Sequence, residues 1–182
     1  MIATAEDLRA KIREIPDFPK PGILFYDITT LLKDAAAYKA AIDLMLAPYL
    51  DVPIDLVVGM ESRGFIFSAP MAYLLGAGLV PVRKLGKLPA ETITVEYALE
   101  YGSNTLEIHR DAIQAGQRVL IVDDLLATGG TMGAAVALIE QCEAKIVECA
   151  FVIDLIDVGG RAYLEQRGHK VFALCEFTED EG

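Results

Sequence analysis

The chain has 182 residues, 53% of them hydrophobic, which suits one folded domain with a sizeable core and excludes a disordered chain. A formal net charge of −11 argues against nucleic acid or an anionic membrane as a partner drawn in by bulk electrostatics. No apolar run approaches the ~20 residues of a membrane span and the N-terminus has no signal core, so the expectation is a soluble, cytoplasmic protein.

In chain order, MIATAEDLRAKIREI (1–15) reads as an amphipathic helix. Tyr38, Ala41, Ile42, Met45, Leu46 and Tyr49 recur at steps of three and four, which predicts a helix with one apolar face. IDLVVGM (54–60) reads as a buried strand, GFIFSAPMAYLLG (64–76) as a helix ending at its glycine, and LVPVRK (79–84) as a second strand. VEYALEY (95–101) alternates apolar and polar residues, GSN is turn chemistry, and TLEIH alternates again, so the pair predicts a hairpin. RVLIVDDLL (118–126) is the next buried strand and TMGAAVALIEQC (131–142) the helix behind it. KIVECAFVIDL (145–155), GGRAYLEQRG (159–168) and KVFALCEF (170–177) read as strand, short helix and last strand. Strands alternating with helices of this length predict an α/β domain with a mostly parallel sheet, into which the hairpin is inserted.

The three cysteines, Cys142, Cys149 and Cys175, are too scattered for a zinc site or a disulfide framework and read as buried thiols. His109 and His169 fall near charged segment ends, where a surface or structural role is the ordinary reading. LVPVRKLGKL (79–88) gathers Arg83, Lys84 and Lys87 with no acid among them, a local cationic loop in an acidic chain.

VLIVDDLLATGGT (119–131) carries the chemistry. A buried parallel strand delivers Asp123 and Asp124 to the carboxyl edge of the sheet, where ligands bind. Adjacent ionised carboxylates repel, and sugar hydroxyls or a metal-chelated sugar would satisfy both. The ATGGT loop then offers backbone N–H groups, threonine hydroxyls and a helix N-terminus, which together make a phosphate cradle. A phosphate site beside a diol site describes a ribose 5-phosphate.

This run resembles the phosphoribosyl-pyrophosphate signature of the type I phosphoribosyltransferases, and DDLLATGGT resembles the adenine-specific branch of that family. DFPKPGILFYDIT (17–29), ESRGFIF (61–67), PVRKLGKLP (81–89), LEYGSNTLEIHRDAI (99–113) and VIDLIDVGG (152–160) match that branch in the same order. The resemblance implies one domain over 1–182 with the type I phosphoribosyltransferase fold: an N-terminal arm and base-binding hood over 1–34, and a hairpin lid over 89–110. It implies transfer of a phosphoribosyl group from phosphoribosyl pyrophosphate to adenine, with Mg²⁺ held mostly by substrate oxygens and water, and a homodimer. Asp123 and Asp124 would hold the ribose hydroxyls directly or through magnesium, and Ala127, Thr128, Gly129, Gly130 and Thr131 the 5-phosphate. Glu61, Ser62, Arg63 and Gly64 would meet the pyrophosphate together with Arg83, Lys84 and Lys87, partly across the dimer interface. Glu100 would handle the adenine proton inside the lid, beside Tyr101. Leu24, Phe25, Tyr26 and Leu155 would form the base site, with tyrosine at 26 where the family commonly has arginine.

Two other readings compete. A regulator on the same fold that binds nucleic acid would be expected to carry a basic face or an added segment, against the charge of −11. A transferase for hypoxanthine or xanthine would differ in the hood and lid motifs.

Overall fold

A computed structural model describes residues 4–99 and 102–178. Among them the strands form a seven-stranded sheet and a separate two-stranded one. The elements run α1 (Ala5–Arg9), β1 (Arg13–Ile15), β2 (Phe25–Asp27), α2 (Thr29–Leu32), α3 (Ala35–Leu46), β3 (Leu56–Met60), α4 (Gly64–Leu75), β4 (Gly78–Lys84), β5 (Thr92–Ala98) and β6 (Ser103–His109). They continue with β7 (Arg118–Leu126), α5 (Gly130–Gln141), β8 (Lys145–Leu155), α6 (Gly160–Glu165) and β9 (Val171–Phe177).

The large sheet has the order β5-β6-β4-β3-β7-β8-β9. From β4 to β9 the neighbours are parallel, with Val58 opposite Val80 and Ile121. Strand β7 shows why its sequence is apolar without interruption. Val119 and Ile121 enter the core beside α5, Leu120 and Val122 enter the core beside α3 and α4, and all four are fully buried. A strand covered on both faces has no solvent side to alternate toward.

Local signals end the helices where the sequence places them. The Asp34 carboxylate caps α3 by accepting from the Ala36 and Ala37 N–H groups, each at 3.1 Å. Gly76 closes α4 in the left-handed region at φ 64°, which costs a glycine little.

Two expectations shift. The N-terminal helix stops at Arg9, and Arg13–Ile15 becomes an edge strand that pairs antiparallel with Phe25–Asp27. Pairing across the intervening turn, with Arg13 bonded to the Asp27 carboxylate, overrides a weak local helical pattern. The hairpin pairs Thr92 with His109 through Ala98 with Ser103, starting three residues before the predicted first strand. Its second strand also pairs with β4, Arg83 opposite Glu107, so the hairpin extends the main sheet.

Candidate active site

Strand β7 runs on past the end of β3, whose pairing stops at Gly59 opposite Val122, and so carries two carboxylates over the sheet edge. Asp124 is buried, and its Oδ2 lies 2.9 Å from Arg63 Nε. Asp123 accepts the Asp124 N–H through Oδ1 at 2.8 Å. Burial, followed by the Asp124 charge, pushes the Asp123 carboxyl well above the usual carboxylate range. The Arg63 guanidinium also lies over the Phe25 ring at 5.4 Å, so one side chain ties the N-terminal segment to the carboxylates. Gly64 allows this closeness: a Cβ there would stand 2.9 Å from Asp123 Oδ1 and 3.0 Å from the Val122 carbonyl.

Two cavities meet at the carboxylates, and a third lies between the N-terminal segment and the end of β8. The first, of about 420 Å³, is bounded by Glu61, Ser62, Arg63, Lys84, Asp123 and Asp124. The second, of about 160 Å³, lies within the loop of Ala127, Thr128, Gly129 and Thr131. Asp123 and Thr131 line both, so a ligand can span them past the carboxylates. Helix α5 starts on that loop with Gly129 as its N-cap and no side-chain cap bond, which leaves first-turn N–H groups for an anion. The third, of about 790 Å³, is lined by Ile23, Leu24 and Tyr26 on one side and Leu155, Val158 and Phe177 on the other. Its apolar walls suit a flat heterocycle.

The predicted residues thus converge, with differences in detail. Lys84 faces the first cavity, whereas Arg83 is engaged elsewhere: its guanidinium bonds Glu61 Oε1 at 3.1 Å and the Lys87 carbonyl at 3.3 Å. Glu61 also accepts the Lys84 N–H at 2.8 Å. Burial works against ionisation of Glu61, yet the Lys84 N–H and the Arg83 guanidinium outweigh it and hold the carboxyl below its usual value. Phe25 packs edge-on to Phe18 at 5.1 Å, beneath Arg63. Tyr26 is buried against Phe177, ring centroids 4.6 Å apart. Gly130 begins α5. Glu100 and Tyr101 lie outside the described residues.

Sequence reasoning missed Tyr97, whose hydroxyl lies 3.4 Å from Thr131 Oγ1 on the wall of the first cavity. Its inward place in the alternating VEYALEY run was a usable signal. It also missed Asp157 on the wall of the third cavity, which a single sequence does not mark. For a divalent cation, the hard oxygens of Asp123 and Asp124 are suitable donors. Among the described residues no cluster of three or more His, Cys, Asp or Glu could hold one.

A family model for the phosphoribosyl transferase domain matches residues 27–177. An adenine phosphoribosyltransferase of Nitrosomonas europaea is 56% identical over 172 residues, covering 94% of this chain and 99% of the relative. One from Chloroflexus aurantiacus is 58% identical over 174 residues, covering 96% and 99%. The crystal structure of the adenine phosphoribosyltransferase of Thermoanaerobacter pseudethanolicus matches with a TM-score of 0.89 at 51% identity, covering 96% of this chain and 100% of that one. The Saccharomyces cerevisiae protein, complexed with D-2,5-dideoxy-2,5-imino-altritol 1,6-bisphosphate and adenine, matches at 0.88 with 42% identity, covering 94% and 98%. Similarity of this depth covers nearly the whole chain, and the chain belongs to the adenine phosphoribosyltransferase family.

Proposed function

We propose that this protein transfers the 5-phosphoribosyl group of phosphoribosyl pyrophosphate to adenine, giving AMP and pyrophosphate in purine salvage. One observation carries the reading: Asp123 and Asp124 line one polar cavity, and Asp123 also lines the adjoining cavity within the loop of Ala127, Thr128, Gly129 and Thr131. The ribose lies at the carboxylates, the 5-phosphate in the loop of Ala127, Thr128, Gly129, Gly130 and Thr131, and the pyrophosphate toward Glu61, Ser62, Arg63 and Gly64. Lys84 and Lys87 add positive charge there, with Arg83 bracing the loop that bears them.

The bond from C1 to adenine N9 forms as the bond from C1 to pyrophosphate oxygen breaks, and the N9 proton leaves to a base. Pyrophosphate is a good leaving group, so the protein's work is positioning, charge and exclusion of water. Asp123 and Asp124 orient the hydroxyls and favour positive charge developing on the sugar. Mg²⁺, when bound, neutralises pyrophosphate oxygens that Asp123 and Asp124 would otherwise repel. Glu100 takes the adenine proton under the closed lid of residues 89–110, with Tyr101 beside it. Phe25 stacks on the base with Leu155 on its opposite face, and backbone near Leu24 and Tyr26 reads its edge. The whole chain acts as one domain and, we propose, as a cytoplasmic homodimer; the exposed apolar side chains Tyr73, Leu74, Leu79 and Leu85 are available to such a contact. The test is product formation from phosphoribosyl pyrophosphate with adenine, hypoxanthine, guanine and xanthine in turn, with and without Mg²⁺. AMP formed only with adenine and Mg²⁺ is the expected result, and a faster reaction with an oxopurine would overturn the base assignment.

A further inference from the structure

In the cationic loop between β4 and β5, Lys84, Leu85, Gly86 and Lys87 are all exposed and Leu88 is only half-buried. Two carboxylates hold it from either end. Glu61 takes the Lys84 N–H, as described. Glu107, on β6, takes the other end: its Oε1 accepts the N–H groups of Lys87 and Leu88, each at 2.8 Å. Glu107 is 3% exposed and stands opposite Arg83 in the sheet, and Arg83 in turn donates to the Lys87 carbonyl. Burial opposes the Glu107 charge, but the Leu88, Lys87 and Gly86 N–H groups and the Thr92 hydroxyl more than offset it, so the carboxyl sits below its usual range. The loop is thus folded around an ionised carboxylate inside the hairpin strand, and none of that carboxylate's geometry is directed at the polar cavity.

We infer that Glu107 is a positioning residue for the pyrophosphate end of the substrate, holding the backbone from which Lys84 and Lys87 present their ammonium groups. The inference rests on the reading of those lysines as pyrophosphate contacts. It also joins the hairpin to that subsite mechanically, because the strand that carries the lid holds the lysine loop through the same side chain. A residue that merely stabilises the fold would weaken every ligand alike. Glu107 acts on pyrophosphate selectively, because AMP occupies the base, ribose and 5-phosphate subsites and none of the lysine loop.

The experiment compares wild type with Glu107→Ala, Glu107→Asp and Glu107→Gln in the full chain. It reads KM for phosphoribosyl pyrophosphate and for adenine, inhibition by pyrophosphate, and direct binding of AMP. Glu107→Ala is expected to raise KM for phosphoribosyl pyrophosphate and the pyrophosphate inhibition constant about 10-fold, with AMP binding and KM for adenine within about 2-fold of wild type. Glu107→Asp, which withdraws the oxygens by one methylene and keeps the charge, should show a smaller shift of the same pattern and serves if the alanine variant fails to fold. Glu107→Gln retains a carbonyl that can accept both N–H groups and should restore near-normal constants. Equal losses for AMP and pyrophosphate, or unchanged pyrophosphate inhibition in a folded alanine or aspartate variant, would overturn the inference. Lys84→Ala and Lys87→Ala separate the two levels. If both leave pyrophosphate inhibition unchanged, the assignment of the lysines is wrong and this inference falls with it. If they weaken it while the Glu107 variants do not, only the positioning role is lost.

Discussion

Burial and the Asp124 charge raise the Asp123 carboxyl well above its ordinary value of 3.8. A carboxyl whose folded pKa is raised favours the protonated fold. Its stabilising share is complete below the ordinary value and is lost as pH rises through the folded one. Asp123→Asn cannot ionise but keeps the oxygen that accepts the Asp124 N–H. It should therefore melt at a higher temperature than wild type at neutral pH, with the gap closing as pH falls toward 3.8. If Asp123 orients the ribose as proposed, kcat/KM should fall by about 10²-fold or more. Melting curves across pH together with the assay check both halves, and an asparagine variant no more stable at neutral pH would contradict the first. Tyr26 presents the opposite balance. Its ring is packed on Phe177, so Tyr26→Arg must place a guanidinium in an apolar layer and should cost about 1–3 kcal/mol in denaturant unfolding. If, as proposed, backbone reads the base edge, adenine turnover should change only modestly. Oxopurines, which offer an acceptor where adenine has the N6 donor, should stay poor substrates in both forms. A wild type that preferred an oxopurine, with adenine use restored by arginine, would disprove the backbone reading.

At the scale of elements, the phosphate loop and α5 are held against α6 by contacts that only glycine permits. Gly129 has φ 86°, and a Cβ there would stand 2.9 Å from Tyr163 Cδ1 and 3.1 Å from the Gly160 carbonyl. Gly133, one turn on, would meet the Tyr163 ring first, at 2.8 Å from Cε1 and 2.9 Å from the hydroxyl. The two alanine substitutions should therefore differ in how they can be rescued. Gly129→Ala should raise KM for phosphoribosyl pyrophosphate about 10-fold and resist rescue, because a left-handed φ and a backbone carbonyl both oppose it. Gly133→Ala should be largely relieved by Tyr163→Ala, since its nearest obstacle is a single side chain. Equal rescue of both by Tyr163→Ala would show that backbone strain at Gly129 is not what shapes the loop.

For the whole molecule, the proposed dimer rests on apolar side chains that face solvent in one chain. Tyr73 is 84% exposed and Leu85 61% exposed, the latter within the lysine loop itself. A face that covers Leu85 must bring a neighbour against Lys84 and Lys87, so association and pyrophosphate binding should be linked. Leu85→Glu is expected to shift sedimentation toward the monomer and to raise KM for phosphoribosyl pyrophosphate by about 10-fold or more as the loop loses its cover. A variant that sediments as a monomer with unchanged KM would dismiss the link.

Much of this architecture was legible from spacing alone. The RVLIVDDLL strand, the helix after ATGGT and the turn at Gly76 are written in local patterns, because period and turn chemistry act between near neighbours in sequence. The same holds for the layout of DDLLATGGT, where the strand end, both carboxylates and the glycine loop fall within a few residues. Elsewhere tertiary structure decided. Arg13–Ile15 became a strand because Phe25–Asp27 offered it a partner, and Arg83 bonds Glu61 and the Lys87 carbonyl because the sheet put them within reach. Tyr97 met Thr131, 34 positions away, only through the docking of the hairpin on α5. Contacts between distant segments depend on how sheets and helices pack in space, and that information is spread over the whole chain, with no short stretch to carry it.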